Sequence, residues 1–469
     1  MKIGVVHNTS IFVDSNRIDP SFHLNDALVY NRTLKNTPFE LLPIRDVVDR
    51  VFLGNIFSRT FVTKGNGVPY LSASDTVLQD LDTGRYLAQK QVDKLHYLML
   101  DKDWILVTCS GTLGKITYTN DTFKDYIATH DLIRVIPSND KSVLGGVVYA
   151  FLSGKYGNTQ LTRSKFGGVV KHINADHVES VLIPKFAKDF QQEVDSLVKE
   201  SAQLRSDATE LLKEAEKVLK TEAGLRNLTT DDYDYFGPRT YKRQVSCFVR
   251  ERKDVNVVTI NAFNHSERIR NTKQMISCTT LPLKDVLLNG DMFSTGSFPR
   301  VEVKGENGVM LINQSDIFDT IIKGKYISKR NVRLSNLVEY GEVLIAGVGT
   351  LGENESFCRV IYANEGLVNQ LVSGEFIRMK TEAVPSGYLF AWLNTDYGFR
   401  FIRNTQAGTK LCRPIPKLLL EIPVPIIAKD KMEEIDRMVR EAHTMRYQAN
   451  QKELKAIAMV EAEIEKWKN

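Results

Sequence analysis

The sequence of 469 residues predicts an α+β fold: two similar mixed α/β domains, separated by two long antiparallel helices that form a coiled-coil spacer, with a pseudo-twofold internal repeat. Two observations favour this fold. The chain repeats itself at an offset of about 239 residues, and each copy ends in a long charged segment with helical periodicity. We expect a first domain over 1–185, a first spacer helix over 186–225, a second domain over 226–427 and a second spacer helix over 428–469.

The repeat is a series of matches that occur in the same order in both halves of the chain. The matched segments are Leu42–Val47 with Leu281–Val286, Gly67–Asp75 with Gly308–Asp316, Ile105–Gly114 with Val343–Gly352, Ile183-Pro184 with Ile422-Pro423, and Ala187–Asp189 with Ala428–Asp430. Because the offset stays between 238 and 241, chance similarity is a poor explanation. The sequence therefore indicates a tandem duplication.

Within each copy, short apolar runs rich in β-branched residues are separated by Gly, Asn and Asp, which is typical of strands joined by turns. The clearest predicted strands are Trp104–Thr108, Leu132–Ile136, Val343–Ala346 and Leu371–Ile377.

The charged segment after each copy predicts a helix with one apolar stripe. The predicted seam positions are Phe190, Val194, Leu197, Leu204, Leu211 and Val218 in the first helix, and Ile435, Val439, Ala442 and Met445 in the second. The first set follows the 4-3 spacing of a heptad. Two such stripes most simply pack on each other, and a whole domain between them favours an antiparallel pair. The alternative is that each helix packs on its own domain.

Composition restricts the function classes. The chain is 42% hydrophobic and 25% charged, and its longest apolar runs are shorter than the ~18 residues of a membrane span, so we expect a cytoplasmic protein. The five cysteines form no CxxC pair and the eight histidines no ligand set, which predicts no metal site. The helical segments carry no positive excess, with six Lys/Arg against nine Asp/Glu over 186–223 and nine against nine over 429–468. The net charge of +5 therefore comes from the domains, where phosphate contacts would need it.

Catalytic motifs are missing from the sequence. None of the 14 prolines are adjacent, so there is no Asn/Asp-Pro-Pro-Tyr loop for methylating an exocyclic nitrogen, and no Gly-Lys is followed by Ser or Thr as in a P-loop. The segment Gly347–Gly352 reads GxGxxG, but its counterpart Cys109–Gly114 lacks the first glycine and no helix is predicted after it. A tight turn between strands explains both copies, and we expect no catalytic residues.

Candidate DNA contacts lie between the Tyr-Gly and Ile-Pro motifs of each copy, where cations and amides cluster around glycines. They are Gln160, Arg163, Lys165, Lys171 and His172 in the first copy, and Arg400, Arg403, Gln406, Lys410 and Arg413 in the second. The aligned Lys171 and Lys410 are predicted to contact phosphates, whereas Arg163, Arg403 and Gln406 have side chains suited to base edges. For any one of them, a solvated surface charge is the alternative.

Taken together, the two Gly-Thr-Leu-Gly loops, the closing Ile-Pro pairs, the helix start Phe190–Glu193 and the element Arg17–Pro20 resemble the specificity (S) subunits of type I restriction-modification systems. The resemblance implies two target-recognition domains that read the halves of an asymmetric, interrupted DNA site, and helices that position two DNA methyltransferase subunits. It also implies that S-adenosylmethionine is bound by the methyltransferase, that restriction subunits, if present, are separate chains, and that this chain has no cofactor or catalytic activity of its own. The second copy departs from the pattern, with only Glu267–Arg270 near the place of Arg17–Pro20.

Three other functions stay open on the sequence alone. The chain could be the S subunit of a two-chain, type IIB-like system whose partner both methylates and cleaves. It could be an antirestriction scaffold that binds the methyltransferase without DNA, or an unrecognised nuclease.

Overall fold

The computed structural model describes residues 27–110, 113–138, 140–163, 172–229, 232, 248–352 and 355–467. The chain divides into two compact units: Met1–Ser206 with Gln448–Asn469, here the first unit, and Asp207–Tyr447, the second unit. Each unit thus contains one predicted domain together with part of both long helices.

The α-helices of the described residues are numbered in chain order. They are α1 (Ala27–Lys35), α2 (Ile44–Val47), α3 (Gln89–Val92), α4 (Gly145–Ser153), α5 (Lys155–Arg163), α6 (Ala175–Glu179), α7 (Lys188–Glu222), α8 (Glu267–Gln274), α9 (Ser386–Asn394), α10 (Asp396–Asn404), α11 (Pro416–Leu419) and α12 (Lys429–Glu465).

Ten strands lie in the described part of each unit. Those of the first are β1 (Leu41–Pro43), β2 (Val48–Leu53), β3 (Phe61–Val62), β4 (Gly67–Leu71), β5 (Tyr86–Ala88), β6 (Ile105–Thr108), β7 (Ile116–Tyr118), β8 (Ile127–Ala128), β9 (Leu132–Pro137) and β10 (Leu182–Pro184). Those of the second are β11 (Thr280–Pro282), β12 (Gly308–Ile312), β13 (Lys325–Ser328), β14 (Val343–Ala346), β15 (Val360–Tyr362), β16 (Leu371–Val372), β17 (Phe376–Met379), β18 (Gln406–Ala407), β19 (Arg413–Pro414) and β20 (Pro423–Pro425).

The first unit contains two four-stranded sheets, with strand orders β2-β9-β6-β7 and β3-β5-β4-β8. The central strand β6 is antiparallel to both β7 and β9, whereas β4 is antiparallel to β5 and parallel to β8. A separate antiparallel pair joins β1 to β10 and so brings the two ends of the domain together.

The second unit repeats these pairings. Strand β14 is antiparallel to β15 and β17, β12 is antiparallel to β13 and parallel to β16, and β11 pairs with β20. Isolated bridges such as Phe293–Arg378 and Glu302–Ile327 stand where the first unit has β2 and β3. The mixed helix-and-sheet fold expected from the sequence is therefore confirmed. The central pairings of the two units agree, although the described sheets of the second unit have three strands each and a further pair, β18 with β19, is present there.

Each long helix packs into the cores of both units. In the first unit, Val194 and Val198 of α7 share a core with Val460 and Ile464 of α12. The order is antiparallel there, because Glu193 lies near Lys455, Glu200 near Lys452 and Arg205 near Asn450.

In the second unit, Ala215 and Leu219 of α7 share a core with Ile435 and Val439 of α12. Helix–helix packing and packing on a domain thus occur together, whereas the sequence had offered them as alternatives.

The predicted seam positions differ in burial. Val194, Ile435, Val439 and Ala442 are fully buried, whereas Phe190, Leu197, Leu204, Leu211, Val218 and Met445 are half-buried.

Two expectations about strands are corrected. The run Leu371–Ile377 is two strands, because β16 and β17 belong to different sheets and are separated by Ser373–Glu375. The strand register also pairs Leu42 with Ile183 and Leu281 with Val424, so the counterpart of Ile183-Pro184 is Val424-Pro425, not Ile422-Pro423.

None of the helices in the described part of the chain has the length and apolar character of a membrane span.

Candidate nucleic-acid interface

A short hairpin with a cationic end follows α10 in the second unit. Its strands β18 and β19 pair Gln406 with Pro414 and Ala407 with Arg413. The turn requires Gly408, because its φ is +105° and a Cβ at this position would lie 2.7 Å from the carbonyl oxygen of Leu411. Lys410 and Arg413 are both exposed on this hairpin. Two cations that the sequence predicted as DNA contacts thus lie together at the surface.

The glycine-rich loop after β14 lies directly beside this hairpin. The backbone N–H of Cys412 donates to the carbonyl of Gly349 at 2.7 Å, and Gly349 donates back to Cys412 at 3.2 Å. The side-chain amide of Gln314 accepts from the backbone N–H of Val348 at 3.2 Å and donates to its carbonyl at 2.5 Å. Backbone pairing on one side and an amide clamp on the other therefore fix the loop against the hairpin.

Arg403 holds the glycine loop through hydrogen bonds to its carbonyls. Its side chain is buried, and its guanidinium donates to the carbonyls of Leu351 and Gly352, the latter at 3.1 Å. The guanidinium also lies 4.9 Å from the centre of the Phe399 ring. In this conformation Arg403 acts on the loop and does not present its donors to solvent, so a direct base contact would require it to move.

The remaining candidates of the second unit differ in exposure. Gln406 is 3% exposed, whereas Arg400 is half-buried, with its guanidinium 5.1 Å from the Phe399 ring. The cationic surface of the hairpin is therefore formed by Lys410 and Arg413.

The first unit holds its glycine loop in the corresponding place. Gly114, with φ +74°, accepts a 2.6 Å hydrogen bond from the side-chain amide of Asn158 on α5. Ser110 forms a bridge with His172, as Gly349 does with Cys412 in the second unit. The two glycine loops therefore share a backbone setting, although an asparagine supports one and an arginine the other.

The candidate DNA contacts described in the first unit are less exposed than Lys410 and Arg413. Gln160 donates to the carbonyl of Leu182 and accepts from its N–H, both at 3.1 Å, and so ties α5 to β10. Arg163 is 9% exposed and His172 half-buried. Lys165 and Lys171 lie outside the described residues, as does the element Arg17–Pro20.

Sequence reasoning missed the side chains that hold the loops, Asn158 and Gln314. Each lies within or just beyond a matched motif, Asn158 after Tyr156-Gly157 and Gln314 inside Gly308–Asp316. It also missed exposed cations that directly follow equivalent strands, Lys90 and Lys94 after β5 and Lys329, Arg330 and Arg333 after β13.

Within the part of the chain that the structure describes, no group of three or more His, Cys, Asp or Glu residues could hold a metal ion. His177 has a structural role instead: its ring Nδ1 accepts from the N–H of Asn174 and closes the first turn of α6.

Comparison with known proteins gives one family and several structures. Residues 36–194 match the type I restriction modification DNA specificity domain. No curated protein matches the chain.

The solved structures that match are distant. The S subunit of a type I restriction-modification system from M. genitalium is 12% identical, with 92% of this chain and 96% of that chain covered and a TM-score of 0.33. The HsdS subunit from Thermoanaerobacter tengcongensis has the same identity and coverage, with a TM-score of 0.26. A structure described as showing complex assembly and conformational transition of the type I R-M system is 10% identical, covers 92% of this chain and 97% of its own, and has a TM-score of 0.28.

The matched residues 36–194 contain the first glycine loop and its support on α5, so this part of the chain is similar to the type I restriction modification DNA specificity domain.

Proposed function

We propose that this chain is the DNA-specificity subunit of a type I restriction-modification complex and has no catalytic activity of its own. In this proposal each unit reads one half of an asymmetric, interrupted DNA site. The long helices position two methyltransferase subunits, which bind S-adenosylmethionine, and restriction subunits join where the system has them.

The observation that carries the proposal is the exposed cationic hairpin fixed to the glycine loop. Lys410 and Arg413 project from a backbone that is held by the Cys412–Gly349 pairing, so their charges are presented by a supported surface. Phosphate contacts made in this way supply affinity and orientation, while neighbouring polar groups read base edges.

The first experiment asks whether the chain selects a DNA sequence. The full chain is co-expressed with a type I DNA methyltransferase subunit from the same genome, and methylation-sensitive sequencing of the host DNA identifies the modified motif. We expect a motif in two unlike parts. A stable protein complex that methylates no sequence-specific site would favour the antirestriction scaffold, and plasmid cleavage by the purified chain with Mg²⁺ would favour a nuclease.

The second experiment tests the hairpin with a duplex that contains the motif. Lys410→Ala and Arg413→Ala should each weaken binding and reduce the slope of log K against log salt by about one, because each removes one phosphate neutralisation. Lys213→Ala is the matched control, since Lys213 is an exposed cation on α7, paired only with its neighbour Glu210 among the contacts seen. Equal salt slopes for all four proteins would remove the hairpin from the interface.

A further inference from the structure

Three helices of the first unit correspond to three of the second at a constant offset of 241 residues. Helices α4, α5 and α7 begin at Gly145, Lys155 and Lys188, and α9, α10 and α12 begin 241 residues later. Asp195 accepts a hydrogen bond from the N–H of Gly146 at 2.8 Å, and its counterpart Asp436 accepts one from Gly387 at 2.7 Å. The boundaries of the units follow the same offset, so the end of α12 in the first unit corresponds to the end of α7 in the second.

One of these equivalent contacts carries reversed charges. In the first unit, Lys155 at the start of α5 donates its backbone N–H to Glu461 at 2.7 Å, and its ammonium contacts both Glu461 and Glu465. In the second unit, the counterpart of Lys155 is Asp396 and the counterpart of Glu461 is Lys220, and these two form a 2.9 Å ion pair. We call them the first and second joints.

A second equivalent contact is polar in one unit and apolar in the other. Tyr149, which is buried, donates its hydroxyl to Glu453, and Glu453 also forms an ion pair with Arg205. The counterparts of Tyr149 and Glu453 are Phe390 and Leu212, which belong to the apolar core of the second unit.

We propose that these differences form a self-recognition surface on which each half of the chain accepts only the unlike half. The N-terminal half here means the first domain with α7, and the C-terminal half the second domain with α12. The partner that this surface rejects is the like half of a second copy.

The consequences of like pairing follow from the correspondence. Two N-terminal halves would place Lys155 against Lys220 and the Tyr149 hydroxyl against Leu212. Two C-terminal halves would place Asp396 against Glu461, and the Glu453 carboxylate against Phe390. Like charges brought together, and a buried polar group deprived of its hydrogen bond, both oppose association. This argument uses contacts within each unit and does not depend on DNA binding.

The test reverses one joint at a time in the full chain. Reversal A is Asp396→Lys with Lys220→Glu, and reversal B is Lys155→Glu with Glu461→Lys and Glu465→Lys. All proteins, including the reference, carry Glu216→Gln, because Glu216 also pairs with Lys220 and would repel a glutamate there. Either reversal alone keeps the unlike pair attractive and makes both like pairs attractive. The two reversals together make the like pairs repulsive again.

Tagged and untagged copies are co-expressed, and the measurement is the untagged fraction that co-purifies. We expect this fraction to rise about fivefold in A and in B, since two contacts per like pair change sign, and to return to the reference value in A with B. The same fraction in all four proteins, or a fraction in the combined variant as high as in A, would overturn the proposal.

Circular dichroism and thermal unfolding check that the variants fold. Asp396→Lys alone should lower the Tm, and adding Lys220→Glu should recover most of the loss. If neither A nor B folds, the joints do not act through charge and the proposal also fails.

Discussion

At the scale of single residues, one ionic contact of the second unit, between Arg378 and Glu342, is almost completely buried. Arg378 on β17 donates to both carboxylate oxygens of Glu342 at 2.8 Å, and to the carbonyls of Asn336 and Leu337 at 2.9 and 2.6 Å. Both charged side chains are 1% exposed. The backbone N–H of Glu339 also donates to the Glu342 carboxylate at 3.0 Å, but Arg378 supplies the counter-charge and a donor to each carbonyl. Loss of the guanidinium therefore leaves an uncompensated charge and two carbonyl acceptors buried.

Arg378→Met should therefore lower the free energy of unfolding by about 3–5 kcal/mol, measured by urea titration. Lys380→Met is the matched control two residues away: it removes a pair with Glu339, which is 68% exposed, and should cost about 1 kcal/mol or less. Adding Glu342→Leu to Arg378→Met should recover part of the loss. Similar losses for the two single variants would contradict this account.

A second residue-scale prediction concerns the Cys109 thiol after β6. Burial, and next the charge of Asp131, raise the pKa of Cys109 to about 11, from 9.0 in an unfolded chain. The folded state therefore holds this proton more tightly than the unfolded state does. The resulting stabilisation, on the order of 2 kcal/mol, is complete below pH 9 and is lost as the pH rises through 11.

Comparison of the wild type with Cys109→Ala tests this linkage. The difference in their free energies of unfolding should be largest at pH 8 and should shrink by pH 10.5, because only the wild type loses the thiol's contribution. A difference that stays constant or grows over this range would show that the thiol does not titrate as described.

At the scale of elements, a glycine in each unit allows a close contact between the domain and a long helix. A Cβ on Gly146 would lie 2.7 Å from the Cα of Asp195 on α7, and one on Gly387 would lie 3.0 Å from the Cα of Asp436 on α12. In each contact the backbone of the glycine faces the backbone of a long helix, so an added methyl group would force the two backbones apart.

Gly146→Ala and Gly387→Ala should each destabilise the protein by about 1–3 kcal/mol, with the larger loss at Gly146, where the contact is shorter. Gly374→Ala is the control, since a Cβ there has nothing within 4 Å. Thermal unfolding of the three variants decides the matter: a loss at Gly374 equal to that at Gly146 would refute the packing argument.

The helices and strands also show which parts of the fold could be predicted from the sequence. Heptad spacing predicted the first long helix and a looser apolar stripe the second, because such a stripe reflects a property of the helix itself. Strand continuity was harder: in Leu371–Ile377 the division at Ser373–Glu375 depends on which strands lie alongside, and a single run of residues does not contain that information. The exposure of individual cations was the hardest property to predict from the sequence. Arg403 and Lys410 are both cations of the same sequence stretch. Arg403 is nevertheless buried and donates to the carbonyls of Leu351 and Gly352, some fifty residues earlier in the chain.

At the scale of the whole molecule, the proposed function predicts that the two units read DNA separately and can be changed one at a time. The glycine loops share a backbone setting, but Asn158 supports one and Arg403 the other. The hairpin of the second unit, formed by β18 and β19, carries residues that differ, apart from one shared lysine, from those aligned with them in the first copy. Under the proposed function, replacing the stretch from Gln406 to Arg413 should therefore alter only one half of the methylated motif.

A suitable pair of variants is Lys410→Ala with Arg413→Ala, and separately Arg403→Met. The first pair removes exposed charge and should weaken methylation of the same motif, because phosphate contacts carry little sequence information. Arg403→Met frees the glycine loop and should relax the bases accepted in one half of the motif while the other half stays unchanged. Methylation-sensitive sequencing separates these outcomes. Relaxation of both halves by Arg403→Met would mean that the two units do not read DNA independently.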